Sequence, residues 1–276
     1  MDTTKRPGSL RGEIAARTAF AGLMGAALLG GTSAYAQPSE FQVAEADSSI
    51  VIVGQRPSRN PLADPEAPYR IVRSANGLLT EDLIDTPKSI TVLPQEVLHD
   101  LGASTFRDIF RTQSGITLGT GEGGNAFGDR IFIRGFDARN DVYIDGMRDP
   151  GVGLRETFAT QQIEIVKGPS SLLSGRGTTG GAVSLVSKQA ELSDFADIDV
   201  TVGTDNLYRA TVDFNRQLND DVAVRVNLMG HESDTPGRNA VFSNRWGAAA
   251  ALTYAPTDAL RIGLDYYHLT MDYMPD

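Results

Sequence analysis

The feature that most constrains this chain is a two-residue alternation of apolar and polar side chains that begins after Lys188. From residue 208 to 215 the even positions are apolar and the odd positions polar, and similar segments follow, with a weaker one before. Their apolar members are Ile198, Val200 and Val202; Tyr208, Ala210, Val212 and Phe214; Val222, Val224, Val226 and Leu228; Trp246, Ala248, Ala250, Leu252 and Tyr254; and Leu260, Ile262, Leu264 and Tyr266. Because strand side chains alternate between two faces, each segment predicts a β-strand with one apolar face.

Two further features favour a transmembrane barrel over a soluble sandwich, which gives a similar alternation. Aromatic residues lie near strand ends, where membrane barrels carry their interfacial girdles; these are Tyr208, Trp246, Tyr254 and Tyr266. The connections at 218–221 and 256–259 are tight, whereas 231–244 is long and polar. Short periplasmic turns and long outer loops alternate in this way, so residues 191–276 predict about five antiparallel transmembrane strands.

The N-terminal 36 residues predict an exported protein. Four basic residues precede an apolar run over 18–31, and Ala34-Tyr35-Ala36 fits the small-x-small rule for cleavage after Ala36. This run is interrupted by glycines and is shorter than the ~20 apolar residues that a spanning helix needs. No other segment is apolar enough, so entry into a membrane would have to use strands.

Composition excludes several classes of function. The chain has no cysteine, which rules out disulfides, thiolate metal sites and cysteine nucleophiles. Without residues 1–36, 21 basic side chains face 33 acidic ones, a net charge of −12 that repels nucleic acid. The three histidines (His99, His231 and His268) lie outside any ligand-spaced or catalytic motif, and we expect no enzyme.

Residues 37–79 predict a periplasmic tether. A β-branched run over 49–53 is followed by four prolines within residues 57–68, which disfavour helix and strand ladder alike. A lone strand on a tether has unpaired backbone groups on both edges, so it could add to the sheet of a partner protein. Pairing with the domain that follows is the alternative.

Residues 80–190 predict a small α+β domain. Expected strands cover 89–93, 131–134, 142–144, 163–167 and 182–186. Pro94 is expected in the first turn of a helix that runs to about Leu101 and ends at Gly102. Ser104 is expected to cap a second helix, which places Phe106, Ile109 and Phe110 on one face.

Five motifs of this domain, taken in order, resemble the plug of TonB-dependent siderophore receptors. They are Asp85-Thr86-Pro87-Lys88-Ser89-Ile90, Ile131-Phe132-Ile133-Arg134-Gly135-Phe136, Tyr143-Ile144-Asp145-Gly146-Met147-Arg148, the run from Ile163 to Gly175, and the run from Arg176 to Lys188. The resemblance implies an α+β plug domain followed by an antiparallel transmembrane β-barrel, of which about five strands of an expected 22 or so are present.

The resemblance also implies a partner. Asp47-Ser48-Ser49-Ile50-Val51-Ile52-Val53 looks like the family's TonB box, which would add as a strand to the C-terminal domain of TonB through main-chain hydrogen bonds. Pulling on this strand would remodel the plug with energy from the inner membrane. This favours the partner interpretation of the isolated strand.

In the family, ligand is held by loops at the outward tip of the plug, which correspond here to 119–130 and 147–153. The candidate ligand-binding residues are Phe127, Arg130, Met147 and Arg148. An arginine beside a flat apolar surface suits an anionic iron chelate, although each arginine could instead only pair with the aspartate next to it in sequence. Iron would be carried by the siderophore, so neither a protein-held metal nor another cofactor is expected.

Arg134 and Lys167 match positions that are basic in the family and pair with acidic groups of the barrel wall. A buried cation needs such a partner. We expect the partners in barrel sequence that this chain lacks, which leaves the pairing of Arg134 and Lys167 open.

The glycine-rich segments do not predict a nucleotide site. Residues 119–124 fit G-x-G-x-x-G, but a strand follows where a dinucleotide site needs a helix. Residues 175–181 lack the Gly-Lys-Ser/Thr ending of a phosphate loop.

The leading functional hypothesis is active uptake of a ferric siderophore across the outer membrane by the parent receptor. A sheet of about five strands is smaller than the roughly eight-stranded minimum for a barrel, and open edges in lipid are costly. We therefore expect a non-transporting fragment, from a truncated or split reading frame or an excerpt. The alternatives are a receptor for cobalamin or an oligosaccharide, and a soluble periplasmic binding module built on the plug alone.

Overall fold

A computed structural model describes residues 60, 62–64, 67–77, 79–119, 129–150, 153–170, 178–238, 240–257 and 259–274. The predicted signal peptide, the predicted TonB box and Phe127 lie outside the described residues, as do most of the two glycine-rich segments. Among the described residues, no helix combines the length and the apolar character needed to cross a membrane.

The first part of the chain forms short strands and two short helices. The strands are β1 (Ala63–Asp64), β2 (Ala67–Ile71), β3 (Ser89–Pro94), β4 (Ile116–Leu118), β5 (Ile131–Ile133), β6 (Phe136–Asp137), β7 (Val142–Ile144), β8 (Met147–Arg148), β9 (Thr160–Lys167) and β10 (Gly181–Ser187). The helices are α1 (Gln95–Asp100) and α2 (Phe106–Phe110). A central sheet has the order β3-β9-β10-β7-β8, and β4, β5 and β6 form a smaller one. We call this unit the plug.

The core of the plug is apolar and includes the face of α2 that the sequence predicted to be buried. Phe106, Ile109 and Phe110 are all buried, and the rings of Phe106 and Phe110 meet edge to face at 5.7 Å. They pack with Ile163 and Ile165 of β9 and with apolar residues of the other plug strands. Burial of these side chains drives the collapse of an otherwise glycine-rich segment.

Both helix starts differ from the sequence prediction by one residue. Pro94 is the last residue of β3 and the N-cap of α1 rather than a residue of its first turn. Thr105, not Ser104, caps α2, because the Thr105 hydroxyl accepts from the Asp108 backbone N–H while the Asp108 carboxylate accepts from the Thr105 backbone N–H. This reciprocal capping box satisfies two helix-end donors together.

Two motifs of the plug are tight hairpins. Arg134 and Gly135 form the turn between β5 and β6, with φ of 52° and 84°, and Asp145 and Gly146 form the turn between β7 and β8, with φ of 49° and 80°. Positive φ at both central residues is the geometry of a type I′ turn, which favours glycine at the second position.

The predicted tether is partly structured. β1 and β2 pair as an antiparallel hairpin, with Ala63 opposite Ile71 and Asp64 opposite Ala67. The prediction that its prolines exclude a strand ladder is therefore wrong at residues 67–71. In a ladder of two strands each strand has one edge without hydrogen bonds to another strand. A proline such as Pro68 is tolerated when its missing N–H would point to this edge.

The second part of the chain is one antiparallel sheet of five consecutive strands, which we call the wall. The strands are β11 (Phe195–Val202), β12 (Tyr208–Asn219), β13 (Val222–Asp234), β14 (Phe242–Thr257) and β15 (Leu260–Tyr273). The predicted long loop at 231–244 is shorter than expected, because residues 232–234 pair with 242–244 and only 235–241 connects the strands. The sequence pattern did not predict this pairing, because most of the paired residues are polar and do not alternate with apolar ones.

The wall has the reverse of a soluble sheet's polarity. Its buried side chains on the plug side are mostly polar and include Asp213, Asn215, Arg225, Asn227, Arg245 and Thr253. Its opposite face exposes Phe214, Trp246, Leu252, Tyr254, Ile262, Leu264 and Tyr266. A water-soluble sandwich buries the apolar face of each sheet, whereas a membrane barrel turns it to lipid. In β12, β13 and β14 the burial of the side chains follows the predicted alternation, with the plug on the polar side; the exceptions are Ala210, which is buried, and β15, which is exposed on both faces.

Candidate ligand surface and plug–wall interface

Arg130 lies on a polar surface of the plug beside the end of β6. Its guanidinium donates to the Asp137 carboxylate through Nε (3.2 Å) and Nη2 (3.0 Å) and lies 5.0 Å from the centre of the Phe132 ring. Burial alone would raise the pKa of Asp137, but the Arg139 backbone N–H and the Arg130 guanidinium lower it below its ordinary value. Asp137 is therefore a carboxylate that holds Arg130 in place.

Two more arginines lie around residues 137–140, the segment that begins with Asp137. The Arg139 Nε atom lies 3.3 Å from the Asp137 carboxylate, and Arg148 Nε donates to the Asn140 carbonyl at 2.6 Å. Arg130, Arg139 and Arg148 thus converge on residues 137–140 and form what we call the arginine surface. The sequence analysis missed Arg139, which stands in no motif.

The structure describes three of the four candidate ligand-binding residues, and two of them lie on one surface. Arg130 and Arg148 share one surface, and neither pairs with its neighbouring aspartate. Asp129 and Asp149 bind Arg155 instead, at 3.8 Å and 2.8 Å between charged atoms. Burial raises the pKa of Asp129 to about 6, although the Arg155 backbone N–H works against this shift. Met147 is 74% exposed at the tip of the β7–β8 hairpin.

Arg134 and Lys167, whose acidic partners are predicted in barrel sequence that this chain lacks, form no ion pair with any residue that the structure describes. Arg134 is exposed on its turn, and Lys167 is half-buried at the end of β9. A Cβ atom at Gly168 would lie 3.1 Å from Arg134 Nη1, so the guanidinium lies over this glycine. Their pairing with barrel carboxylates stays a prediction.

Glu156 makes an ion-pair contact between plug and wall. Its fully buried carboxylate lies 2.9 Å from Arg209 Nη2 of β12 and 3.0 Å from Arg245 Nη1 of β14. Sequence reasoning missed this contact, yet a signal was present. Arg209 and Arg245 stand at odd positions of alternating strands, and a buried arginine on the inward face predicts that an acidic partner exists.

A second ion cluster joins the wall to the plug's last strand. Asp213 accepts from Arg225 Nε (2.8 Å) and Nη2 (2.7 Å), and Lys188 Nζ lies 2.9 Å from the same carboxylate. Arg225 also donates to the Gln189 carbonyl at 2.9 Å. Burial lowers the pKa of Lys188 and Asp213 opposes this. Lys188 follows β10 directly, so the cluster fixes the wall at the point where the plug ends.

Apolar contacts seal the same interface. Phe158 of the plug packs on Gly247 of β14, where an added Cβ would lie 2.7 Å from the ring. The Phe158 ring also stacks on Tyr267 of β15, with 5.5 Å between ring centres. Met229 and Ala249 complete this cluster. Glycine at 247 is thus required by the close approach of the plug.

The tether hairpin is docked on the plug through a buried carboxylate. Glu164 of β9 accepts from the Ser74 hydroxyl and from the Ala75 backbone N–H, the latter at 2.6 Å. Gln162 donates to the same carboxylate at 2.7 Å and accepts from Asn60. Asn60, Ser74 and Ala75, which flank the tether hairpin, therefore connect it to β9 of the plug's central sheet.

The described residues contain no cluster of three histidine, aspartate or glutamate side chains arranged to bind a metal ion. The arginine surface, in contrast, offers several hydrogen-bond donors to an anion.

Comparison with known proteins places these features in a family. Residues 82–182 match the TonB-dependent Receptor Plug Domain. The chain is 39% identical over 225 residues to the probable TonB-dependent siderophore receptor PiuA of Acinetobacter baumannii, covering 81% of this chain and 30% of that protein. It is 34% identical over 233 residues to the catecholate siderophore receptor Fiu of Escherichia coli K12, covering 84% of this chain and 30% of that protein.

Solved structures of the same two receptors are similar to this chain in fold. The crystal structure of PiuA matches with a TM-score of 0.72 at 40% identity, and the closed form of Fiu with 0.72 at 34% identity. Each match covers 75% of this chain and 30% of the other. The chain spans about 30% of the length of these relatives. The predicted architecture, an α+β plug followed by strands of an incomplete barrel, is confirmed.

Proposed function

Because residues 82–182 form a TonB-dependent receptor plug domain, we propose that this chain is the N-terminal part of an outer-membrane receptor for TonB-dependent uptake of a ferric siderophore. The matched relatives named above are receptors rather than enzymes, in line with the absence of enzymatic function expected from the sequence. Export would use a signal peptide, residues 1–36, that is cleaved after Ala36. The mature chain would then consist of a tether (37–79), the plug (80–190) and the first barrel strands (191–276), as the sequence predicts.

The observation that carries the proposal is the docking of the plug on the polar face of a sheet whose other face is apolar. A sheet of this kind separates lipid from a polar interior, and a plug inside it controls passage. The ion pairs of Glu156 with Arg209 and of Asp213 with Lys188 join plug and wall, and such polar contacts can be broken and remade when a plug moves. The soluble plug-only module leaves the apolar face of the wall without a role.

The arginine surface supports an anionic ligand. Charged, planar guanidinium groups bind the oxygens of an iron chelate, and the Phe132 ring adds a flat apolar contact. Fiu is named as a catecholate receptor, so a ferric catecholate is the ligand we propose. Phe127 and Met147 are proposed as further contacts. TonB is the proposed partner of residues 47–53.

We expect Arg148→Gln to weaken binding of a ferric catecholate about tenfold in the receptor that carries this sequence, because one charge-assisted hydrogen bond is lost. Binding is measured on unenergised cells with radiolabelled iron. The matched control is Arg216→Gln, an exposed arginine of the wall paired with Asp194. Equal affinity of the two variants would contradict a ligand role for the arginine surface.

Replacing Ile50 with proline is expected to abolish uptake while leaving surface binding intact, because proline removes an N–H donor from the strand that would pair with TonB. Uptake of labelled ferric siderophore is measured with and without an energised inner membrane, and Ile50→Val serves as the control. Wild-type uptake by the proline variant would remove residues 47–53 from the coupling step.

A further inference from the structure

A row of basic side chains crosses the inner face of the wall. Arg209 of β12 is the register partner of His231 of β13, which is in turn the partner of Arg245 of β14. Because directly opposed residues of antiparallel strands share one face, all three point to the plug side. His231 and Arg245 are buried and Arg209 is largely so. We call these residues the basic row.

Glu156 is the one carboxylate that contacts this row within the described residues. Arg209 donates to both of its oxygens, to Oε1 at 3.4 Å and to Oε2 at 2.9 Å, and Arg245 Nη1 lies 3.0 Å from Oε1. Two guanidinium groups therefore share a single negative charge. Asp108 is a second carboxylate that acts electrostatically on Arg245, but it caps the N-terminus of α2. A buried pair of cations around one anion is costly unless further acceptors are present.

Two buried nitrogen atoms in the row make no hydrogen bond within the described residues. Arg245 Nε and His231 Nδ1 have no hydrogen-bond partner among the described residues. An unsatisfied buried polar group is destabilising, so its presence in a native structure calls for an explanation. Arg245 Nε belongs to the guanidinium that contacts Glu156, and His231 lies between Arg209 and Arg245 in the strand register. A larger anion with more oxygens than a carboxylate could use these nitrogen atoms.

A cavity of about 430 Å³ lies on the other side of Glu156. It is lined by both polar and apolar groups, including Asp149, Leu154, Tyr267 and Leu269. The basic row does not line this cavity. Glu156 does, and it therefore stands between the open space and the arginines.

We propose that the basic row is a second anion-binding site, which Glu156 occupies as an internal anion while the plug is docked. When the plug shifts and withdraws Glu156, Arg209, His231 and Arg245 become available to the carboxylate or catecholate oxygens of the iron chelate. This inference rests on the proposed function and adds a second ligand-binding site on the inner face of the wall. The arginine surface would bind the ligand first, and the basic row would receive it only after the plug moves.

The test removes the internal anion. Glu156→Gln preserves the size of the side chain and leaves the two guanidinium groups without a counter-ion. In the detergent-solubilised receptor that carries this sequence, we expect the variant to bind sulfate and 2,3-dihydroxybenzoate at least about tenfold more tightly than wild type by calorimetry. Adding Arg245→Gln to Glu156→Gln should abolish the gain. An unchanged affinity in the single variant, or a gain that survives in the double variant, would overturn the proposal.

A second measurement covers the case in which Glu156→Gln does not fold. Arg209→Gln and Arg245→Gln are each expected to lower the maximal rate of energised uptake about tenfold, with unchanged affinity of unenergised cells for the ferric chelate. Arg216→Gln is the control and should keep both values. Wild-type maximal rates in both arginine variants would refute a second ligand-binding site on the inner face of the wall. If wild-type cells bind no ferric siderophore, the proposed function itself fails; normal wild-type uptake with no effect of these variants rejects only the basic row.

Discussion

Replacing Asp213 with alanine is expected to destabilise the docked plug and wall by about 3–5 kcal/mol, a large effect for a single substitution in a domain of this size. The Asp213 carboxylate binds both Arg225, whose side chain is fully buried, and Lys188. Removing it leaves two buried cations without their main counter-ion, and this uncompensated charge is the physical origin of the loss.

The measurement is thermal unfolding of the detergent-solubilised receptor, followed together with protease sensitivity at the plug–wall junction near residue 188. Asp220→Ala is the matched control, because Asp220 lies exposed in the turn between β12 and β13. An Asp213→Ala protein as stable and protease-resistant as this control would show that the cluster does not hold the two units together.

The second large effect is expected on the opposite face of the same strand. Phe214 is 45% exposed and lies near the middle of β12. If this face meets lipid, Phe214→Arg costs about 2–4 kcal/mol for a charge near the bilayer midplane. If the wall were a soluble sheet, the same exposed substitution would change stability by about 0.5 kcal/mol or less.

Folding equilibria of the receptor in phospholipid vesicles separate these cases, with Phe214→Leu as the control for lost aromatic volume. A Phe214→Arg variant that inserts and folds like the leucine control would contradict the membrane assignment of the wall.

The sequence predicted the wall well, because a period of two fixes which face each residue occupies. Asp213 and Phe214 were assigned to opposite faces by their neighbours alone, and the structure places them so. Strand ends were harder to predict. Of residues 232–234 and 242–244 all but Phe242 are polar, and only their pairing across the connection identifies them as strand.

The plug–wall contacts could not be read from local patterns. Glu156 lies in a segment without periodicity, and its partners are 53 and 89 positions away, at Arg209 and Arg245. A charge at an inward position predicts that a partner exists but does not identify it. The tether hairpin was missed for a similar reason, since its docking depends on Glu164, a residue of a distant strand.

The ligand surface was predicted in part. Arg130 and Arg148 lie together, but the turn at residues 137–140 that joins them, and Arg139 within it, follow from the hairpin geometry rather than from any motif. Arg134 and Lys167 keep the role that the family resemblance gives them only as a prediction.

The most direct test of the central claim uses the absence of cysteine from the chain. Single cysteines placed at each position from 208 to 217, one per variant, can be labelled with a fluorophore in the receptor reconstituted into vesicles of brominated phospholipid. The account predicts quenching with a period of two, strong at the even positions around Phe214 and weak at the odd positions that face the plug. Equal quenching at all positions, or strong quenching at the odd ones, would show that the apolar face of the wall does not lie in lipid.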